Sequence, residues 1–155
     1  MKIILFNPEI PQNTGNIIRT CSVTGTPLVL VEPLGFSLAD RWMKRAGMDY
    51  FEEVIIETID DLDAYLIKSQ NPFYFFSSKA EKNYSDVKFG KNDLLIFGAE
   101  SKGLPDSFTN KYPDRFLKVP MLSGKRCLNL ATTVGIVLYE SLRQQNYEGF
   151  LSHSD

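Results

Sequence analysis

Glu100 sits in Gly98-Ala-Glu100-Ser-Lys-Gly103-Leu-Pro105, a short stretch bracketed by glycines. Residues without Cβ let backbone N–H and C=O groups come close to a ligand, and Glu100 would be the polar anchor beside them. The same glycines would equally serve a plain strand-to-helix turn. The pattern is neither GxGxxG nor a Walker P-loop, so a dinucleotide or ATP site has no motif behind it. A second group is Asn13, Asn16 and Arg19, in NTGNIIR. The planar fork of Arg19 could hold a phosphate or a carboxylate, although Asn13 as a helix cap and Arg19 as a solvated cation account for the same residues. The third group is Lys125-Arg126-Cys127-Leu128-Asn129, wedged between two apolar segments. Arg41, Lys44 and Arg45, spaced i, i+3, i+4, share one helical face, either solvated or set against phosphates. Lys79, Lys82 and Lys102 lie near the same loops, while acidic residues gather in 57–63 and in the last eight positions. The net charge of −2 gives no global field for nucleic acid, so a polyanion partner would have to be met by this local patch. The lone histidine, His153, lies in a polar tail, which argues against a histidine nucleophile system or metal site.

These groups need a frame, and the chain supplies one. KIILF, PLVLV, EEVIIE, FYFF, DLLIF and FLKVP read as six short strands, several of them almost wholly apolar, which is the mark of a parallel sheet covered on both faces. Helical segments alternate with them: GNIIRTCSVTG, stopped by Gly25 and capped by Asn13 or Thr14; LADRWMKRAG; DDLDAYLIKS; DSFTNKY; and a terminal helix from Leu128. In that last helix Leu130, Val134, Val137 and Leu138 fall near one face, Ile136 widens it, and Asn129 stands at the cap position. Residues 80–92 read as polar loop. The 155 residues, 43% hydrophobic and 23% charged, suit one soluble α/β domain over 1–155. No apolar run approaches a membrane span, no signal peptide precedes the first strand, and Cys21 and Cys127 read as free thiols of a reducing, cytoplasmic compartment. Ligands of such sheets bind at the carboxyl ends of strands, where the loops 77–79, 98–105 and 120–129 fall.

Three of these segments, NPEIPQNTGNIIRTC, LIFGAESKGLP and KVPMLSGKRCLNLATTVGIVLYE, resemble in order and spacing the three motifs of the SPOUT class of RNA methyltransferases. RWMKRAGMDY, and a length without any added RNA-binding domain, are similar to the branch that methylates the wobble nucleotide of tRNA on its ribose 2′-hydroxyl. The resemblance covers nearly the whole chain. It implies an α/β knot, a mostly parallel sheet with helices on both faces and a C-terminal trefoil, which sequence physics alone would not propose.

The resemblance further implies S-adenosylmethionine as cofactor, in a pocket that includes Phe76, Ser77, Gly98, Glu100, Gly103, Val119, Met121, Cys127, Leu128 and Asn129. Arg19 and Asn129 would be catalytic, with Arg19 reaching the site across a homodimer interface, and no metal would be needed. Arg41, Lys44, Arg45, Lys79, Lys102, Arg126 and Tyr139 would contact the tRNA anticodon stem-loop. Two positions depart from the family pattern: Cys127 stands where serine is usual, and Asn7 where close relatives often carry an acid. A thiol is the weaker donor. A methyltransferase acting on ribosomal RNA or another tRNA position, or a non-catalytic RNA-binding module of the same fold, are the other functions compatible with these motifs.

Overall fold

A computed structural model describes residues 1–38, 50 and 52–150. The described strands are β1 (Lys2–Phe6), β2 (Leu28–Val31), β3 (Ile56–Ile59), β4 (Phe73–Phe76), β5 (Lys82–Asn83), β6 (Leu94–Phe97) and β7 (Phe116–Lys118). They form one sheet in the order β3-β2-β1-β6-β4-β7-β5, and every pairing is parallel. The α-helices are α1 (Pro11–Thr24), α2 (Leu62–Ser69), α3 (Asp106–Lys111) and α4 (Leu130–Gln144).

Strand residues alternate between two cores, as a period of two requires. Ile3, Leu5, Leu28, Leu30, Leu95 and Phe97 face Ile17, Ile18 and Cys21 of α1 and Val134, Val137, Leu138 and Leu142 of α4. Ile4, Val29, Val31, Leu94, Ile96 and Phe75 face the other way, onto Leu62 and Leu66 of α2, with Phe108 of α3 packed alongside. Both faces are therefore covered, and near-continuous apolar strands are the result. Burial pushes the Cys21 thiol up to about 12, so it stays protonated within the first core.

Three expectations need correcting. The first helix begins at Pro11, with Ile10 at its N-cap position and no side-chain cap. Proline's fixed φ suits the first helical turn, and Asn13 is thereby inside the helix and released for another bond. EEVIIE gives way to Ile56–Ile59, because the register that joins Leu28 to Ile56 starts the edge strand late and leaves Ile55 three-quarters exposed. Residues 80–92 contain the two-residue β5, too short for any periodicity, held by β7 alone. The helix expected over LADRWMKRAG lies, from Ala39 onward, outside the described residues, as do Arg41, Lys44, Arg45 and His153.

On α4, Glu140 accepts from Nε and Nη2 of Arg143 at 2.7 and 2.8 Å and from Gln144 at 2.8 Å. The Arg143 guanidinium, with Gln144, holds the Glu140 carboxyl down at about 2, against an ordinary 4.5. A depressed carboxylate contributes stability that is complete above its unfolded value and is lost as pH falls toward the folded one. The difference in melting temperature between the native chain and Glu140→Gln is therefore expected to shrink steadily between about pH 5 and about pH 2, followed by circular dichroism.

Candidate active site

All seven strands run the same way, so their carboxyl ends share one edge of the sheet. The loops expected to carry chemistry leave from that edge. The 98–103 loop is closed by two reciprocal backbone bonds, Ala99 N–H to Gly103 O at 3.2 Å and Gly103 N–H to Ala99 O at 2.8 Å. Gly103 has φ +69°, where a side chain is strained, and a Cβ on Gly98 would lie 2.3 Å from the Gly103 carbonyl carbon. The space above Gly98 is thus taken by the loop's own backbone, and the strand-to-helix turn explains both glycines.

Glu100 is turned toward the start of α1. Its Oε2 accepts from Glu9 N–H at 2.8 Å, and its Oε1 from Ile10 N–H at 3.3 Å and Asn13 Nδ2 at 3.0 Å. A carboxylate at a helix N-terminus is favoured by the dipole there, and this one takes the place of the missing side-chain cap. The loops are clasped in return: Glu9 accepts from Ser101 N–H at 2.8 Å and Ser101 Oγ at 2.7 Å, and the Ser101 bonds hold its carboxyl below the usual range.

Asn129 caps α4 as expected. Its Oδ1 accepts from Ala131 N–H at 2.8 Å and Thr132 N–H at 3.3 Å. That commitment turns its Nδ2 outward, onto Asn13 Oδ1 at 2.8 Å. A directional run, Asn129 to Asn13 to Glu100, therefore ties together the starts of α1 and α4 and the loop after β6. The three motif segments of the sequence, far apart along the chain, meet in two side-chain hydrogen bonds.

Beyond Asn129 the chain opens. Residues 121–129 are all exposed, with a turn in which Gly124 takes φ +74°. Val119, Met121 and Cys127, together with Ser78, Lys118 and Lys125, line a cleft of about 430 Å³ over the ends of β4, β7 and β5. Cys127 Sγ donates to Ser78 Oγ at 3.2 Å, so the thiol standing where serine is usual does find a hydroxyl partner, through a weak donor. A second cleft, of about 530 Å³, lies over the ends of β1 and β6, and Gly103 and Lys102 are in its wall. Phe76 is buried against Phe97 with rings 4.7 Å apart, as packing beneath the edge. Ser77 is half-buried, its N–H bonded to Leu117 O, and its Oγ accepts from Lys79 N–H. Leu128 is exposed.

Arg19 is exposed on α1, and its guanidinium lies 5.3 Å from the centre of the Tyr50 ring. Among the described residues it makes no hydrogen bond or ion pair, so it is brought to neither cleft within one chain. Lys79, Lys102, Arg126 and Tyr139 are exposed. Among the described residues no group of three or more His, Cys, Asp or Glu side chains is arranged for a metal ion, and no helix is long and apolar enough to cross a membrane.

Sequence reasoning passed over Glu9 and Ser101, whose only signal was their place inside two of the motif segments, and it read Asn13 as a cap. The two cysteines, both free thiols, give a direct check on the cleft. Iodoacetamide is expected to modify Cys127 and spare Cys21 in the folded chain, with both labelled in denaturant, as peptide mass spectrometry would read.

The SpoU rRNA Methylase family matches residues 1–139. The tRNA (cytidine(34)-2′-O)-methyltransferase of Saccharophagus degradans is 43% identical over 150 residues, 95% of this chain and 97% of that one. A solved structure described for the 2-OH methylation of C/U34 on tRNA superposes with TM-score 0.88 at 39% identity, over 95% of this chain and 97% of the other. A SpoU methyltransferase of Streptomyces viridochromogenes, in complex with the cofactor AdoMet, gives TM-score 0.84 at 19% identity, over 97% of this chain and 59% of that one, a likeness of fold.

Proposed function

Because the chain belongs to the SpoU rRNA Methylase family, we propose that it transfers the methyl group of S-adenosylmethionine to the ribose 2′-hydroxyl of the wobble nucleotide, a cytidine or modified uridine, in the tRNA anticodon loop. The observation that carries this reading is the Asn129–Asn13–Glu100 run, which assembles all three motif segments at the carboxyl edge beside an open cleft. S-adenosylmethionine, when bound, supplies an electrophilic methyl carbon on a sulfonium. The cleft beside Cys127 suits it: Val119, Pro120, Met121 and Leu122 give an apolar wall, and Lys118 and Lys125 suit the methionine carboxylate. The chain's work is then to hold two reactants in line and to ease the loss of a proton from a weakly acidic hydroxyl.

Asn129 is fixed by its cap bonds and would orient the ribose. Arg19 would come from a second copy of the chain, and its exposure, with no ion pair among the described residues, leaves it available for that role. A guanidinium keeps its proton at physiological pH, so Arg19 would hold the RNA phosphate and stabilise the developing alkoxide, with no part as a base. The homodimer, and a trefoil threading of the C-terminal segment, belong to the same reading. The insertion of β7 between β4 and β5, both earlier in the chain, supports the threading.

Nucleoside mass spectrometry of tRNA from a strain lacking the gene tests the proposal. Loss of ribose methylation at the wobble position is expected, and loss at another position or in ribosomal RNA would refute it. Affinity for tRNA should also fall steeply with salt despite the net charge of −2, because local cations displace counterions. Reversing the charge of Arg41, Lys44 and Arg45 together is expected to weaken binding at least tenfold, by roughly 1.4 kcal/mol or more. Unchanged binding would make them a solvated face.

A further inference from the structure

We infer that the cleft over the ends of β1 and β6 receives the base of the target pyrimidine nucleotide, with Asn7 reading its edge and Lys102 facing its phosphate. The inference rests on the wobble-methyltransferase reading and names where that substrate sits.

The cleft is about 530 Å³, within the range of roughly 300–1,000 Å³ typical of small-ligand sites. Its apolar lining is Phe6, Pro33, Leu34, Leu104 and Pro105, surfaces against which the flat face of an unstacked base can pack. Its walls are fixed before any ligand arrives. The 33–35 segment is seated so closely that a Cβ on Gly35 would lie 2.7 Å from Glu9 Cα, and Gly35 N–H donates to Pro8 O at 2.9 Å. Glu9 is clasped in turn to Ser101.

Asn7 gives the cleft an uncharged polar group, beside the charged Glu9 and Lys102. It holds φ +45° at the end of β1, and its Nδ2 donates to Val31 O and Pro33 O, each at 3.3 Å. Carbonyl oxygens only accept, so this pair fixes which end of the amide faces them. Both amide hydrogens are committed, and among the described residues no side chain or backbone group donates to Oδ1. An oriented acceptor in an apolar slot suits the donor of a pyrimidine edge, the N4 amine of cytosine or the N3–H of uracil. Lys102, exposed in the wall, supplies a cation for the adjoining phosphate.

Position relates this cleft to the other. β6 lies between β1 and β4 in the sheet, so the loop after β6 separates the two clefts. That same loop carries Glu100, bonded through Asn13 to Asn129, two residues past Cys127 in the cofactor cleft. A base in one cleft and a methyl donor in the other would bring the ribose to the groups that join them.

The test measures binding of an anticodon stem-loop RNA by competition, with the wobble cytidine intact or replaced by an abasic ribose. Two variants fill the cleft from different segments. One is Leu34→Trp. The other is Pro105→Trp, an exposed position with no N–H to lose. Base removal is expected to weaken binding to the native chain about tenfold or more, as lost stacking would. Each variant should bind the intact RNA correspondingly less well and lose little further on base removal, since the two changes delete the same contact. Cofactor affinity by calorimetry should stay within about twofold, which also reports folding. Equal factors for base removal in native and filled chains, or no effect of base removal on the native chain, would overturn the inference. Mass spectrometry of the stem-loop after reaction with the native chain separates the two levels, since absence of wobble methylation overturns the function itself.

Discussion

Gly98→Ala is expected to abolish cofactor binding and to destabilise the fold by about 3 kcal/mol, although it adds one carbon. The new Cβ would lie 2.3 Å from Gly103 C, 2.6 Å from Leu104 N and 2.7 Å from Gly103 O. These are backbone atoms, so no rotamer change relieves the overlap, and the loop must open. Opening breaks the two Ala99–Gly103 bonds and draws Glu100 away from Glu9, Ile10 and Asn13. A buried donor that loses a carboxylate, as Asn13 would, costs about 1–3 kcal/mol. Asn13 in turn stops fixing Asn129, two residues past Cys127 of the proposed cofactor cleft. Urea denaturation and calorimetry with S-adenosylmethionine check the two halves. Native stability and native affinity in the variant would show that the loop tolerates a wider conformation.

Arg19→Ala is expected to lower the single-turnover rate by about 10³-fold, the scale of losing a charge-stabilising donor in a transition state, with cofactor affinity near native. Arg19→Lys keeps the charge and loses the fork, so most of the activity should go with it. Because Arg19 makes no hydrogen bond or ion pair to the site loops of its own chain, a mixing experiment is decisive. Arg19→Ala and Asn129→Ala chains, each inactive alone, should recover about one quarter of native activity after subunit exchange, since half the dimers then hold one complete site of two. No recovery, with exchange verified by mass spectrometry, would place Arg19 and Asn129 in one chain's site. Rates across pH separate the roles of the guanidinium. A fixed cation gives no plateau near neutrality, whereas a plateau there that vanishes in Arg19→Lys would make Arg19 the base.

The sheet was legible because strands covered on both faces are apolar at nearly every position, as LVLV and LLIF are. Asn129 as a cap was legible for a local reason, since a cap bonds within its own first turn. What escaped was non-local. The partner of Asn13 is set by which loops leave the sheet edge together, and nothing in NTGN indicates a carboxylate on the loop after β6. Pro11 displaced the expected cap because its ring already satisfies the helix start. β5 escaped for want of length: two residues carry no period, and only β7 makes them a strand. The family motifs marked the segments that meet, while the job of each side chain at the meeting point came from geometry.

The place of β7 also constrains how the chain folds. Among the described residues β5 has no sheet neighbour except β7, and β7 follows it only after β6 and α3. β3, β2, β1, β6 and β4 can pair among themselves without either. Five strands can therefore assemble on the nascent chain while β5 stays unpaired, and the far side of the sheet closes only when the C-terminal segment arrives. Pairing across such sequence separation is entropically costly and slow. Pulsed hydrogen exchange during refolding should find Leu28–Val31 protected early, and Lys82–Asn83 and Phe116–Lys118 together and last. The cleft beside Cys127 is built on those last strands, so cofactor binding competence should appear in the same final step.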